Sequence, residues 1–286
     1  MLVRKAKLSD LREIFNWRND EHTRKMSLNS KYINFEEHKE WFIDSLQNEL
    51  YKIYIGELGT KKIGICIFYK IKTKNLSEVS INFNPYHRGK GYSKQFLRKS
   101  ISLYRKNFNT DVIAKIKSKN LISISIFKNI GFYRLRIDRN KVLYYLLSKQ
   151  TLFFKKINLN DSNVLYALLK KRIHFISHKK TPSLNSHKNF IKNNPYQHWF
   201  LIVYKRPIGT FYIQKDNSIG IQLLRPKIEL ISEILYFINC NFKPFKEVQS
   251  KVPSYFYINV ASSDNEMKKI LKNMNFDLIQ ESYKLI

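Results

Sequence analysis

The sequence predicts an α/β protein in which two successive domains repeat one order of elements. Strand-like runs of alternating apolar and polar residues take turns with helix-like runs along the whole chain. The order of these runs in the first half recurs, with changes, in the second half. At 286 residues, the chain also has the length of two moderate domains.

Composition indicates a globular protein with a strong positive charge. Hydrophobic residues make up 43% of the chain and aromatic residues 14%, which is enough to fill two cores. The 52 Lys and Arg residues against 22 Asp and Glu residues give a net charge of +30. Lysine is spread along the chain and forms no dedicated basic face, so we expect nonspecific polyanion binding and no specific nucleic-acid partner.

Two further features bear on compartment and cofactor chemistry. Cys66 and Cys240 are expected to be buried free thiols in a reducing compartment. The N-terminus lacks the apolar core of a signal peptide, and Lys or Arg interrupts every long apolar run. We therefore expect a cytoplasmic protein without membrane insertion. No Cys/His spacing matches a metal site.

The stretch from residue 78 to residue 104 is typical of a strand, a glycine turn and a helix. Glu78–Phe83 alternates apolar and polar residues, as a strand buried on one face does. Pro85 ends the strand, and Gly89 and Gly91 allow backbone conformations that are closed to other residues. Apolar residues at helical spacing follow from Tyr92 onward. The sequence therefore predicts a helix that starts at a glycine turn.

Such a turn directs several backbone N–H groups at one point, which is an arrangement that binds anions. Arg88 and Lys90 add positive charge to it. The turn lacks the Gly-Lys-Ser/Thr ending of a P-loop and the Gly-x-Gly-x-x-Gly spacing of a Rossmann turn. We expect a phosphate or pyrophosphate ligand, although many glycine turns only connect two elements.

The turn resembles the acyl-CoA pyrophosphate loop of the GNAT family of N-acetyltransferases, whose pattern is Arg/Gln-x-x-Gly-x-Gly/Ala. Residues 88–93 read Arg-Gly-Lys-Gly-Tyr-Ser, and Ser93 departs from the last position of the pattern. A second stretch, from Asn120 through Ser123 to Gly131-Phe132, is similar to the family's Asn-x-x-Ser…Gly-Phe signature. The resemblance covers the first half of the chain.

The resemblance implies tandem GNAT-like domains, each a mixed, mostly antiparallel sheet flanked by helices. Residues 1–149 would form the acetyltransferase domain that uses acetyl-CoA, and residues 150–286 a degenerate copy. Asn120 suits a helix cap as well as a cofactor contact. The cofactor-binding residues implied by the resemblance are Val79, Ile81, Arg88, Gly89, Lys90, Gly91, Tyr92, Ser93, Asn120, Ser123 and Phe127.

Family members transfer acetyl directly from the thioester to a neutral amine, which requires a base or an oriented water. Glu78 is the candidate base, and its alternative is an exposed charge at a strand end. Phe127 stands where the family usually has a tyrosine that protonates the leaving thiolate. Tyr86, Tyr92 and Tyr104 are candidate replacements, or the acid is absent.

A finer resemblance concerns the acceptor. The pair Trp-Arg-Asn and His-x-x-Trp-Phe looks like the amino-sugar acetyltransferases of the pseudaminic acid pathway and, less closely, the acetyltransferases of ribosomal-protein N-termini. For the two tryptophans the alternative is core packing, for the arginine an exposed carboxylate partner, and for the histidine a structural role. The substrate-contact residues implied are Trp17, Arg18, Asn19, His38 and Trp41.

The second half differs where the glycine loop should be. Residues 224–229 read Leu-Arg-Pro-Lys-Ile-Glu, so neither glycine is present and Pro226 donates no N–H. This half is therefore not expected to bind acetyl-CoA in the family's way. Substrate contacts, bracing of the first domain and a dimer surface are the roles left open. His178, His187, Tyr196 and Trp199 either line a separate pocket or form a loop with core anchors.

Taken together, the resemblance implies an acetyl-CoA-dependent N-acetyltransferase. The expected substrate is a nucleotide-activated amino sugar, of the UDP- or dTDP-linked 4-amino-4,6-dideoxyhexose type, used for a surface glycan. The alternatives are a protein N-terminal or side-chain amine and a non-catalytic acyl-CoA-binding scaffold. A homodimer is left open.

Overall fold

The computed structural model describes residues 1–174 and 181–282, which divide into two compact units. The first unit comprises Met1–Gln150 together with Leu235–Cys240, and the second unit comprises the rest. Nothing in the sequence pattern indicates that the short segment 235–240 groups with the first unit. His178, named above as a candidate pocket residue, lies outside the described residues.

The first unit is built on a seven-stranded sheet with the order β1-β2-β3-β4-β5-β7-β6. Each neighbouring pair is antiparallel except β4 and β5, which run parallel. This arrangement confirms the mixed, mostly antiparallel sheet. The strands are Leu2–Lys5 (β1), Tyr51–Leu58 (β2), Lys61–Lys70 (β3), Leu76–Phe83 (β4), Asp111–Lys117 (β5), Tyr133–Ile137 (β6) and Val142–Leu147 (β7).

Helices cover both faces of this sheet because its strands alternate apolar side chains between them. On one face, buried residues such as Phe96 and Phe127 pack with Phe68 of β3. On the other face, Trp17 and Phe42 pack against β2 and β3. The helices are Leu11–Asn19 (α1), Glu21–Met26 (α2), Phe35–Gln47 (α3), Tyr92–Arg105 (α4) and Leu121–Lys128 (α5).

The parallel strands β4 and β5 separate after a short paired stretch. Their register runs from Leu76 to Glu78 on β4, whereas β4 stays paired with β3 as far as Phe83. Strand β5 stays paired with β7 to Lys117. Within the described chain, residues 79–83 of β4 therefore have a strand partner on one side and a cleft on the other.

The second unit contains a five-stranded sheet with the order β12-β11-β10-β9-β8, in which only the pair β11 and β12 is parallel. This is the order and direction of the first five strands of the first unit. The strands are Phe153–Lys156 (β8), His198–Tyr204 (β9), Arg206–Ile213 (β10), Ser218–Leu223 (β11) and Tyr257–Asn259 (β12). The helices of the second half are Ser162–Lys170 (α6), Leu184–Lys192 (α7), Ile228–Asn241 (α8) and Asn265–Asn273 (α9).

Backbone irregularities recur at matching places in the two sheets. Strand β3 bulges between Lys62 and Gly64, and β10 bulges between Pro207 and Gly209. The residues that leave the ladder are Ile63 and Ile208. The carbonyl of each accepts a hydrogen bond of 2.9 Å from the backbone N–H that follows the next strand, that of Asn84 in one unit and that of Leu224 in the other. Bulges are local features that the ladder alone does not require, so their recurrence supports the interpretation of a repeat.

Side-chain networks recur as well. Buried Asp10 accepts from the Lys7 N–H at 2.8 Å, and buried Asp161 accepts from the Asn158 N–H at 3.0 Å. At the far end of each unit, Gly131 and Asn275 both have positive φ, of 105° and 60°. Asparagine tolerates this conformation better than other non-glycine residues, which explains how it takes the place of a glycine.

The two cysteines differ in their surroundings. Cys66 is buried in the core of the first unit, as expected, whereas Cys240 is exposed. The expectation of burial is wrong for Cys240, because it lies in the last turn of α8, where the helix leaves the packed interior. No helix of the described residues is both long and apolar enough to cross a bilayer.

Candidate active site

The glycine turn has the conformation that the sequence predicts. Gly89 and Gly91 have φ of 73° and 77°, and Gly91 is the residue before helix α4. A Cβ added to either glycine would meet no atom within 4 Å among the described residues. The glycines are therefore required by their backbone angles and leave open space above the helix N-terminus, as a cradle for an anion does.

The electrostatics of this helix end also favour an anion. Helix α4 has no acidic residue in its first turn, and its Gly91 cap provides no side-chain acceptor. Lys90 precedes the helix, and burial together with Arg98 lowers the pKa of Lys94 in the first turn. Cations are unfavourable at a helix N-terminus and next to one another, so a bound anion would offset both repulsive interactions.

The side chain of Arg88 points away from this cradle. Its Nη2 lies 2.7 Å from Asp20 Oδ2 and 2.7 Å from Thr23 Oγ1, at the start of helix α2. Thr23 in turn donates to Asn82 Oδ1 at 3.1 Å. Although burial opposes it, bonds from the Thr23 N–H and Arg88 lower the pKa of Asp20. Arg88 thus ties the glycine turn to α2 and leaves the anion to backbone N–H groups.

The cleft between β4 and β5 continues from the cradle. Val79 is buried among the core residues beneath β4, and Ile81 packs against the same core. The side chains of both face the core, so what β4 offers to the cleft is backbone. At the other wall, Asn120 precedes α5 and its Oδ1 accepts from the Ser123 N–H at 3.1 Å. The helix cap predicted for Asn120 is present.

Glu78 lies where the two strands begin to separate. Its Oε2 is 2.6 Å from Lys115 Nζ on β5, and both side chains are about one-third exposed. On the other side, Glu78 is paired across the ladder with Tyr69 of β3, which contacts Tyr51 at a ring-centroid distance of 4.8 Å. A partly exposed carboxylate at the mouth of the cleft can accept a proton from an amine or a water.

Phe127, which stands in place of the family's tyrosine, and Tyr104, a candidate replacement for it, are both in the core. Phe127 is 2% exposed and packs edge-on against Phe132. Tyr104 is fully buried, and its hydroxyl lies 2.5 Å from Ser77 Oγ. Burial raises the pKa of Tyr104, so this hydroxyl is a poor proton donor. Of the alternatives considered from the sequence, Tyr86 at 84% exposure and the half-buried Tyr92 lie nearer the surface.

The residues of the Trp-Arg-Asn element hold the fold together. Trp17 is 5% exposed in the core under α1, and its carbonyl accepts from Asn82 Nδ2 at 3.0 Å. Asn19 makes two bonds to the backbone of Ile33, of 2.8 Å and 3.0 Å. Core packing, the alternative weighed for Trp17, describes its place in the structure. Asn19 positions the segment that leads into α3.

Arg18 is the exception in this element. Its Nη2 donates to the Asn29 carbonyl at 3.0 Å, while its Nη1 is buried without a hydrogen-bond partner among the described residues. Burial lowers the pKa of this guanidinium, and the nearby Arg24 lowers it further. A guanidinium held among apolar groups and a second cation is suited to an anionic ligand.

His38 belongs to an aromatic cluster on α3. It is 3% exposed, stacks on Phe42 and contacts Trp41 at a centroid distance of 5.2 Å. Burial, assisted by the charge of Arg18, lowers the pKa of His38 to about 4. The imidazole is therefore neutral at physiological pH. The half-buried Trp41 covers this cluster.

The structure adds two residues that sequence reasoning does not select. Lys115 joins Glu78 only because β4 and β5 are parallel neighbours, and nothing in the local sequence indicates that pairing. Asp20 directly follows α1 and also caps the next helix, α2, by accepting from the Thr23 N–H. An Asp followed by Glu21 in the first turn could have indicated that second helix start. In the described parts of the chain, no group of three His, Cys, Asp or Glu side chains could hold a metal ion.

Comparison with known proteins places the first unit. Residues 1–133 match the family model described as the acetyltransferase (GNAT) domain. The match covers less than half of the chain and ends inside the first unit. It confirms the prediction of a GNAT acetyltransferase domain, and with it an N-acetyltransferase as the class of enzyme, for the residues that it covers. None of the curated proteins matches the chain.

Solved structures with similar folds have low identity. The chain is 19% identical to a ribosomal-protein-alanine N-acetyltransferase from Brucella melitensis, with a TM-score of 0.46 over 51% of this chain and 98% of that one. It is 17% identical to spermidine N-acetyltransferase from Vibrio cholerae in complex with CoA and spermine, with a TM-score of 0.45 over 51% and 92%. An N-acetyltransferase from Staphylococcus aureus is 22% identical, with a TM-score of 0.44 over 51% and 97%.

Proposed function

We propose that the first unit, an acetyltransferase domain by its family match, acetylates the amine of a nucleotide-activated amino sugar. The donor is acetyl-CoA, and transfer is direct within a ternary complex. The acceptor is a UDP- or dTDP-linked 4-amino-4,6-dideoxyhexose used for a surface glycan. The observation that supports the proposal most is an anion cradle that opens into a cleft between two strands.

The residues around the cradle fit acetyl-CoA. Gly89 and Gly91 leave room for a pyrophosphate over the N-terminus of α4, where backbone N–H groups and Lys90 would hold it. The unpaired edge of β4 offers amide groups to the amide-bearing pantetheine arm. Acetyl-CoA supplies the activated acetyl group, and the work of this chain is to position it and the amine.

The charge distribution favours an anionic acceptor. Glu78 and Asp20 are each paired with a cation, Lys115 and Arg88 respectively, so neither carboxylate leaves a net negative charge at the cleft. Arg18 adds a partly buried guanidinium. A nucleotide diphosphate is attracted by this field, whereas a polycation such as spermidine, the substrate named for the Vibrio cholerae protein, is repelled.

In the proposed reaction, the groups that line the cleft have the following roles. Glu78 accepts the proton that the amine loses, directly or through a water. Backbone N–H groups of β4 beyond Glu78 stabilise the negative charge that develops on the thioester oxygen. Since Phe127 has no hydroxyl and Tyr104 is buried, the thiolate leaves without a tyrosine from either position.

A peptide amine is the second candidate, because the same cleft and the same Glu78 would serve it. This is the class of acceptor named for the Brucella melitensis protein, a ribosomal-protein alanine. A peptide amine brings no anionic group, and a basic peptide would be repelled by the cations of the site. The sugar is therefore preferred on charge.

The test is release of free CoA thiol from acetyl-CoA in the presence of a panel of acceptors. The panel contains UDP- and dTDP-linked 4-amino sugars, the corresponding sugars without a nucleotide, spermidine and N-terminal peptides. The proposal expects release with one nucleotide-linked sugar and much less with its nucleotide-free form. Release with peptides alone would favour the peptide amine over the sugar. No release with any acceptor would favour a non-catalytic scaffold that binds acyl-CoA.

A matched pair of glycine variants controls for the cradle. Gly91 and Gly59 both have positive φ, of 77° and 58°, and both would leave open space around an added Cβ. Gly91→Trp is expected to abolish CoA binding, whereas Gly59→Trp, in the hairpin between β2 and β3, carries a similar backbone strain and should keep it. Equal loss of CoA binding in both variants would show that the effect comes from strain and not from the cradle.

A further inference from the structure

The second unit encloses a cavity of about 440 Å³, within the volume range of small-molecule sites. It lies where β11 and β12 separate, since their pairing ends at Gly220 and Asn259, and it is lined by later residues of β11 and by the residues that follow β12. The cavity continues over the sheet beneath α6 and α7. It thus lies where the first unit has its cleft between β4 and β5.

One wall of the cavity is aromatic. Tyr196 stacks on Tyr212 with ring centroids 3.9 Å apart and an angle of 12°, and Trp199 packs edge-on against Tyr196 at 5.2 Å. Gly220 lies opposite Tyr212 on the next strand, and a Cβ there would overlap the tyrosine ring. The glycine therefore lets the ring lie flat against the sheet. Such a wall is suited to a flat or branched apolar body.

The wall also contains a fixed guanidinium. Arg172 donates from Nε to the His174 carbonyl at 2.6 Å, and a Gln222 amide oxygen turned toward it accepts from Nη1 and Nη2 at 3.0 Å each. Burial lowers the pKa of Arg172, while the neighbouring tyrosines act in the opposite direction. Since Nε and both Nη atoms already donate to protein oxygens, this guanidinium would attract a carboxylate by its charge, which a partly desolvated wall makes more effective.

Two more polar atoms lie in residues that line the cavity. His187 Nε2 and Trp199 Nε1 are buried without a hydrogen-bond partner among the described residues, and both residues are 7% exposed. Burial lowers the pKa of His187, so its ring is neutral and can donate or accept. Buried polar groups are rarely left unpaired, and a ligand oxygen would pair with either of them.

The end of the cavity next to α8 excludes a coenzyme with a pyrophosphate. Four residues, 224–227, connect β11 to α8, whereas eight residues, 84–91, connect β4 to α4. The short connection contains no glycine, and Leu224 and Pro226 line the cavity there. The space that remains fits the body of a small ligand.

We infer that this cavity is a second binding site, specific for a small carboxylic acid with an aromatic or branched apolar body. The carboxylate pairs with Arg172, the body packs on Tyr212 and Trp199, and Gln222 keeps the guanidinium in place. The site lies entirely in the second unit and needs no acetyl-CoA. It is therefore independent of the function proposed for the first unit.

The test uses the full-length protein and measures binding by calorimetry and by fluorescence. The probes are benzoate, phenylacetate and isovalerate, each with its uncharged amide, and benzylamine as a cation. At least one acid is expected to bind more than tenfold tighter than its amide, and benzylamine is expected not to bind. An acid and amide of equal affinity, preference for the amine, or no binding by any probe would overturn the inference.

Two pairs of variants place the site. Arg172→Gln should weaken the acid more than tenfold and leave the amide unchanged, whereas the exposed Arg206→Gln removes the same charge elsewhere and should change neither. Leu168→Trp, which fills the cavity without touching the guanidinium, should block acid and amide alike. If both arginine variants weaken the acid equally, the effect is one of net charge and the site is wrong.

A last control separates this inference from the acetyltransferase. Gly91→Trp should leave acid binding intact, because it changes only the cradle of the first unit. Competition of acetyl-CoA with the acid would overturn the inference by placing the acid in the first unit.

Discussion

The guanidinium of Arg88 lies 2.7 Å from the Asp20 carboxylate and 2.7 Å from the Thr23 hydroxyl, so the first residue of the glycine turn is fastened to helix α2. The same Asp20 caps α2. The glycine turn and helix α2 are thereby connected through one side chain. In the proposed function, Arg88 positions the turn.

Arg88→Met should therefore destabilise the first unit by about 1 kcal/mol, since the ion pair is partly exposed, and weaken acetyl-CoA binding through the loosened turn. Asp20→Asn removes the same pair, keeps a good helix cap and should reproduce both effects. Urea denaturation and calorimetry measure them. Weaker CoA binding in Arg88→Met alone would mean that Arg88 contacts the cofactor directly.

Glu78→Gln should lower the rate of acetyl transfer by about a hundredfold or more, because the amide cannot accept a proton. Acetyl-CoA binding should be unchanged, since Glu78 lies at the mouth of the cleft and away from the glycine turn. The exposed Glu49→Gln is the control for charge. Steady-state kinetics with the identified acceptor measure the rate of transfer. An unchanged turnover number would show that Glu78 is not the base and that water takes the proton.

The stability of the first unit should depend on pH through His38. The pKa of His38 is about 4 in the folded protein and about 6.5 in an unfolded chain, so the unfolded state binds more protons between these values. Stability contributed by the neutral ring is complete above pH 6.5 and is lost as the pH falls toward 4, by about 3 kcal/mol in total.

His38→Phe should flatten this dependence, because phenylalanine keeps the stacking on Phe42 and has no proton to bind. Urea denaturation at pH 7 and pH 4.5 measures the free energy of unfolding in both proteins. The difference between them isolates His38 from other groups that titrate in this range. A variant with the full pH dependence of the parent would place the effect elsewhere.

Asp10→Asn should destabilise the first unit by about 3 kcal/mol, since it leaves buried donors without their anion. Asp10 is fully buried, and its carboxylate forms ion pairs with Arg4 Nη1 at 2.7 Å and with Lys62 Nζ at 2.9 Å. The exposed Asp44→Asn makes the same chemical change and should cost little. Chemical denaturation compares the two, and an equal, small effect would show that the introduced amide finds substitute partners.

Much of this architecture can be predicted from sequence because it depends on local pattern. The positive φ of Gly91, the cap at Asn120 and the repeat of Asp10 as Asp161 follow from residue types at short spacing. The matching bulges at Ile63 and Ile208 support the prediction of two similar halves. That the second half is a degenerate acetyltransferase domain stays a prediction.

The site is less accessible to sequence reasoning because it depends on distant pairs. The ion pair of Glu78 with Lys115 requires the parallel register of β4 and β5. The turn of Arg88 toward Asp20 requires the placement of α2. For Trp17, aromatic character alone does not predict its burial, which depends on the packing of α1 against the sheet. The roles assigned to the site residues accordingly stay predictions.

The separation of β4 from β5 has a consequence for hydrogen exchange. Amide hydrogens on the edge of residues 79–83 that faces the cleft have no carbonyl to protect them within the described chain, so they should exchange with solvent at rates unusual for a central strand. A ligand arm that bonds to this edge would slow them. Slower exchange of these amide hydrogens would therefore report a bound ligand for each residue separately, even when no reaction takes place.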